Sequence, residues 1–129
     1  MLRPWLLLVY LATAAAITLW PASVDPWLRD ALHSAGVGRS YGIVQVAANV
    51  LFFVPAGYLG VRALGTHHWP IVLALALAGS LAVEFVQSVA LEGRIGDARD
   101  IAANTLGAVF GIMLARIVAR QRRRRHPVT

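Results

Sequence analysis

Cysteine is absent from this 129-residue chain, and so is lysine. The first absence removes disulfides and thiolate metal sites. The second leaves arginine as the only strongly basic side chain, which together with abundant alanine reads as a compositional bias. Charge is scarce: 14% of residues are charged and 58% hydrophobic, with a mean hydropathy of +0.64. That is too apolar for an ordinary soluble domain of this size. No HExxH, no phosphate-binding glycine loop and no serine–histidine pairing is present. Adjacent His67 and His68 project in different directions and lack the spacing of a helical metal pair. Neither a metal nor a cofactor is expected.

Four apolar stretches are present, at about 5–22, 41–64, 69–91 and 100–119. Each is near the roughly 20 residues that cross a bilayer as a helix. The expected fold is an all-α integral membrane protein, four transmembrane helices in one bundle, with a membrane domain over 1–119 and a basic tail over 120–129. Met1-Leu2-Arg3 is a thin basic leader and Pro21-Ala22-Ser23 a poor cleavage site, so the first span is expected to be a retained helix rather than a signal peptide. Placing both termini in the cytoplasm puts eight arginines inside (Arg3, Arg62, Arg116, Arg120 and Arg122 to Arg125) against four outside (Arg29, Arg39, Arg94 and Arg99). This satisfies the positive-inside rule. Asp25, Asp30, Glu92, Asp97 and Asp100 all fall in or beside the outer loops. The arginine run directly follows a span, so its expected partner is anionic lipid headgroups and not nucleic acid.

Between the first two spans, Trp27 to His33 has short amphipathic character, ended by Gly36 and Gly38, and predicts an interfacial helix on the outer face. Trp5, Trp20, Trp27 and Trp69 sit near span ends, where indoles favour the headgroup zone. Pro55 and Gly57 lie well inside the second span and predict a kink there. Small residues recur at four-residue spacing in the fourth span (Ala103, Gly107, Gly111, Ala115) and in the third (Ala74, Ala78, Ala82). Both stripes are expected to be packing seams, because close backbone approach drives helix association in lipid.

An ionisable residue at the centre of a membrane helix costs roughly 2.5–3.5 kcal/mol, which makes Glu84 the first functional candidate. Ser80, Glu84 and Gln87 share a face of the third span; Gln45 and Asn49 share one in the second; Asp100, Asn104 and Gly107 share one in the fourth. At 1.5 Å per residue, Asn49 lies roughly 12 Å, Glu84 roughly 10 Å and Asn104 roughly 6 Å below the outer ends of their spans. All three therefore occupy the outer half of the bilayer. Glu92 to Asp100, with two glycines, is placed to fold over them. The expected site is an outward-facing polar pocket. Arg94 and Arg99 are available there to an anionic group, and Glu84, Asp97 and Asp100 to a cation or proton. Asp97 and Asp100 also suit a cap on the fourth helix, and Asn49 and Gln87 suit interhelical hydrogen bonding.

At these residues the chain resembles the VanZ-like family of small bacterial membrane proteins. Asn49-Val50-Leu51-Phe52-Phe53-Val54-Pro55-Ala56-Gly57-Tyr58 is similar to the family's second-helix signature. Glu84-Phe85-Val86-Gln87, Arg94, Asp97, Asp100, Asn104-Thr105-Leu106-Gly107-Ala108 and Gly111 are similar to its second signature. The likeness covers about 45–115, and residues before Gln45 are expected to add little. The family is named for a member associated with resistance to teicoplanin, so the resemblance implies membrane location and a role in the bacterial cell envelope.

Three functions fit these residues. In the first, the pocket binds a lipid-linked or amphiphilic molecule, such as a cell-wall precursor or lipoglycopeptide, with Gln45, Asn49, Glu84, Gln87, Arg94, Arg99, Asp100 and Asn104 as ligand-binding residues. Pro55, Gly57, Gly107 and Gly111 are then structural. In the second, Glu84 with Asp97 or Asp100 catalyses a reaction on a membrane substrate. In the third, Glu84 couples proton movement in a small transporter or flippase component. Four spans are few for a transport path, so that reading requires a homo-oligomer. The first is the expected one.

Overall fold

The computed structural model describes residues 5–18, 25–37, 41–90 and 98–125. They form five α-helices: α1 (Trp5–Thr18), α2 (Asp25–Ser34), α3 (Tyr41–Leu64), α4 (Trp69–Ala90) and α5 (Ala98–Arg125). Among the described residues there is no strand. Three helical segments, Gly42–Leu64, Thr66–Val89 and Ala98–Arg125, are long and apolar enough to cross a membrane. The all-helical membrane bundle expected from the hydropathy is the fold observed.

The first apolar stretch forms α1 over its fourteen described residues, and residues 19–22 of the expected span lie outside the described residues. Helix α5 outruns its expectation. It begins at Ala98 and continues through the arginines to Arg125, so the first six residues of the basic tail prolong the membrane helix. The amphipathic segment forms α2, and α3 runs unbroken through Pro55.

The α3–α4 hairpin turns on Gly65, whose φ of 98° lies in the region that penalises a side chain. Its N–H donates to the Val61 carbonyl (2.9 Å) and its carbonyl accepts from the His68 N–H (3.1 Å). The turn thus closes α3 and opens α4 within a few residues. At this end the Arg116 guanidinium lies 5.3 Å from the centre of the Trp69 ring, a cation–π contact that ties α5 to the start of α4. A small apolar core of Val61, Val72, Ile112 and Ala115 packs beside it.

The closest pair of helices is α3 and α5, and its closeness comes from glycine. A Cβ on Gly107 would overlap the Val50 carbonyl oxygen, one on Gly111 the Val54 carbonyl oxygen, and one on Gly57 the Ala108 carbonyl oxygen. The order of these contacts, Val50 with Gly107 and then Val54 with Gly111, makes the two helices parallel. Antiparallel α4 fits alongside, where Val72 Cγ1 would lie only 2.7 Å from a Cβ on Gly60.

The stripe in the fourth span is therefore a seam, as expected: Ala103, Gly107, Gly111 and Ala115 are all buried. The stripe in the third is not. Ala74, Ala78 and Ala82 are exposed, because α4 turns Val72, Ser80, Glu84 and Gln87 toward its neighbours instead. A helix has one inward face, and on α4 the polar residues occupy it.

Gly111→Ala is expected to destabilise the bundle by about 1–3 kcal/mol, as for other overpacked sites. Gly79→Ala, where an added Cβ meets nothing within 4 Å, should be stabilising by about 0.5–1 kcal/mol through helix propensity. Reversible denaturant unfolding in detergent micelles compares them; equal unfolding midpoints for the two variants would contradict the seam.

Candidate functional site

Buried polar side chains concentrate on the facing sides of α4 and α5. Ser80 is 0% exposed, Asn104 5%, and Glu84 and Gln87 8% each. The Asn104 Nδ2 donates to Ser80 Oγ at 2.9 Å, joining the two helices. At the far end from the arginine tail, Gln45 Nε2 donates to Asp100 Oδ2 at 3.3 Å, joining α3 to α5.

Helix register arranges these groups in two tiers. Parallel α3 and α5 are in step from Gln45 and Asp100 onward, while antiparallel α4 passes Trp69 by Arg116 and Ser80 by Asn104. One turn beyond Ser80, Glu84 comes level with Asp100 in the first turn of α5. The tier farther from the arginine tail is thus Gln45, Asp100 and Glu84. The tier nearer the tail is Ser80 and Asn104, with half-buried Asn49 at the same level on α3. Of the residues on the three polar faces, hydrogen bonds bring together Ser80 with Asn104 and Gln45 with Asp100.

Asp100 has two physical roles here. It sits in the first turn of α5, where a negative charge complements the helix dipole, and it accepts the Gln45 bond. Arg99, beside it, is exposed. Arg94 and Asp97 lie outside the described residues. Thr105 donates to the Ile101 carbonyl of its own helix at 2.7 Å, so its hydroxyl is turned to the backbone.

One atom of the cluster stands out. Asn104 Oδ1 is buried and has no hydrogen-bond partner, although the same amide's nitrogen is bonded to Ser80. A buried acceptor left unpaired costs about 1–3 kcal/mol. Among the described residues the other buried side-chain atom of this kind, Arg62 Nε, lies near the opposite end of α3. Among the described residues no group of three or more His, Cys, Asp or Glu side chains could hold a metal.

Two elements of the arrangement carry little sequence signal. Ser80 stood out only by its four-residue spacing from Glu84, and it is the hydroxyl that Asn104 uses. Tyr10, a lone phenol in an apolar helix, donates its hydroxyl to the Phe52 carbonyl and sets its ring 6.1 Å from that of Phe52. That carbonyl is next to the Leu51 carbonyl, which Pro55 deprives of its helical donor. Tyr10 thereby ties α1 to α3.

Long apolar helices around a buried polar seam define an integral membrane protein of the helical-bundle class. Within that class, the family model described as VanZ/LLP1 matches residues 7–119. The chain belongs to this family. The match starts well before Gln45, so α1 is part of the family unit rather than a marginal addition, in keeping with the Tyr10 contact. No curated protein and no solved structure matches the chain.

A double-mutant cycle with Ser80→Ala and Asn104→Ala, read by unfolding in micelles, should give a coupling of about 0.6–1.7 kcal/mol, the range of interhelical hydrogen bonds in membranes. Purely additive effects would show that the pair does not bond.

Proposed function

We propose that the protein is a multi-pass protein of the bacterial cytoplasmic membrane that binds a lipid-linked or amphiphilic envelope molecule through the α3–α4–α5 polar cluster. Both termini lie in the cytoplasm, and the cluster lies in the outer half of the bilayer. Through that binding the protein influences susceptibility to glycopeptide antibiotics of the teicoplanin type. Family membership supports the envelope setting, and the excess of arginine at one end of the bundle supports the orientation.

The observation that carries the binding reading is the unpaired Asn104 Oδ1. It is an acceptor held in place by the Ser80 bond, one helical turn from the level of buried Glu84. A hydroxyl, amide or ammonium group of a ligand supplies the donor it lacks and recovers the cost of burying it. Exposed Arg99 at the rim is suited to a phosphate or carboxylate, for which a guanidinium is a planar two-pronged donor; Arg94 is assigned the same role. Gln45, Asn49 and Asp100 complete the donor and acceptor set.

Deletion of the gene should change sensitivity to teicoplanin, vancomycin or another envelope-directed agent, and the wild-type gene should restore it. Glu84→Ala and Asn104→Ala, at wild-type membrane levels, should not restore it. In binding assays with purified protein and envelope lipids, loss of one hydrogen bond in Asn104→Ala should weaken binding by about 2–10-fold. Unchanged sensitivity across envelope agents on deletion would refute the envelope role. Full affinity in Arg94→Ala/Arg99→Ala would remove the anion site.

A further inference from the structure

A cavity lies on the other flank of α4, and the polar cluster has no part in it. It occupies about 410 Å³ between α1, α3 and α4, within the range of roughly 300–1,000 Å³ of small-molecule sites. Along α4 it extends from Val72 to Val83, a rise of about 16 Å. Its walls are almost wholly carbon, with Phe52 and Ala56 of α3 as the floor and Leu7 of α1 opposite. The one phenol in the wall, Tyr10, has its hydroxyl engaged with the Phe52 carbonyl. Such a space does not hold water.

Two further observations indicate what it holds. Leu11 and Leu75 line the cavity and are also 46% and 61% exposed, so its mouth is continuous with the lipid-facing surface of α1 and α4. Gly79, also in the wall, has no packing reason to be glycine: a Cβ there meets nothing within 4 Å, unlike one at Gly57, Gly107 or Gly111. Glycine in a helix interior costs roughly 0.5–1 kcal/mol relative to alanine, and what the missing side chain leaves is room inside the cavity. Ala14, Ala56 and Ala76 extend that narrow-walled surface.

We propose that this cavity is a binding site for one acyl chain of a membrane phospholipid, which enters sideways between α1 and α4. The chain fills an apolar slot that no described side chain occupies, and it bridges α1 to α4. Helix α4 thereby serves two sites, with Ser80 facing α5 and Gly79 facing the acyl chain. The acyl-chain site does not depend on the polar-cluster reading, since it uses none of the same residues.

The test uses the full chain in vesicles of phosphatidylethanolamine and phosphatidylglycerol doped with a phosphatidylglycerol that carries a diazirine midway along one acyl chain. After illumination, label is mapped by mass spectrometry. Label should collect on Leu11, Phe52 and Ala76, and Gly79→Phe should reduce it there about tenfold, equivalent to about 1.4 kcal/mol. Label on Leu81 and Phe85, which are exposed on α4 outside the cavity, should not change. Ala14→Phe fills the same space from α1 and should reproduce the loss, serving in place of Gly79→Phe if that variant does not fold. Undiminished cavity label in the folded filling variant would overturn the proposal. So would efficient disulfide dimerisation of Gly79→Cys, whose thiol is unique in this cysteine-free chain, because a second copy would then occupy the slot.

Discussion

The backbone contact between α3 and α5 is the constraint on which the rest of the bundle depends. In lipid, apolar side chains gain nothing by leaving their surroundings, so helices associate through close packing and hydrogen bonds. Gly57, Gly107 and Gly111 remove the side chains that would hold the two backbones apart. Three contacts distributed over both helices fix their separation and their parallel register together. Sliding one helix by a residue would set a side chain where a carbonyl now lies.

That register has chemical consequences several turns away. Gln45 reaches Asp100 because α3 and α5 are in step at their first turns. Asn104 stands one turn from Gly107 on the buried side of α5 and meets Ser80 of antiparallel α4. The polar cluster is thus positioned by apolar contacts, while its own hydrogen bonds orient the side chains. The Ser80 bond holds the Asn104 amide with its oxygen turned to an unpaired buried position, an arrangement suited to receiving a donor from outside the protein. On its other flank α4 leaves a carbon-lined slot against α1, so one helix separates a polar cluster from an apolar cavity.

Much of this was legible in the residues. The limits of α3 follow from hydropathy, and Glu84 with Gln87 follows from the expense of polar groups in an apolar helix. The α5 seam follows because two glycines, Gly107 and Gly111, leave no other use for that face. Ala74, Ala78 and Ala82 show where the spacing rule fails. A stripe of small side chains is compatible with close packing but also with simple exposure to lipid, and only the competing face of the helix decides. On α4 that face carries Ser80, Glu84 and Gln87, which cannot be left in hydrocarbon cheaply, so the alanines point out. The Tyr10 attachment of α1 was illegible for a different reason: a hydroxyl bonded to a distant backbone carbonyl leaves no periodic trace. Helix continuity through Arg125 was hidden because hydropathy ends where the arginines begin, although arginine itself favours helix.

The most direct measurement of the central claim is solid-state NMR of the protein in lipid bilayers, with glycine labelled at Cα and valine at the carbonyl carbon. If α3 and α5 pair through their backbones, through-space cross-peaks join Gly107 to Val50 and Gly111 to Val54 at short mixing times. Absence of both cross-peaks, with the sequential Gly60–Val61 peak of the same labelling scheme present, would contradict the parallel glycine-mediated pairing and with it the two-tier polar cluster.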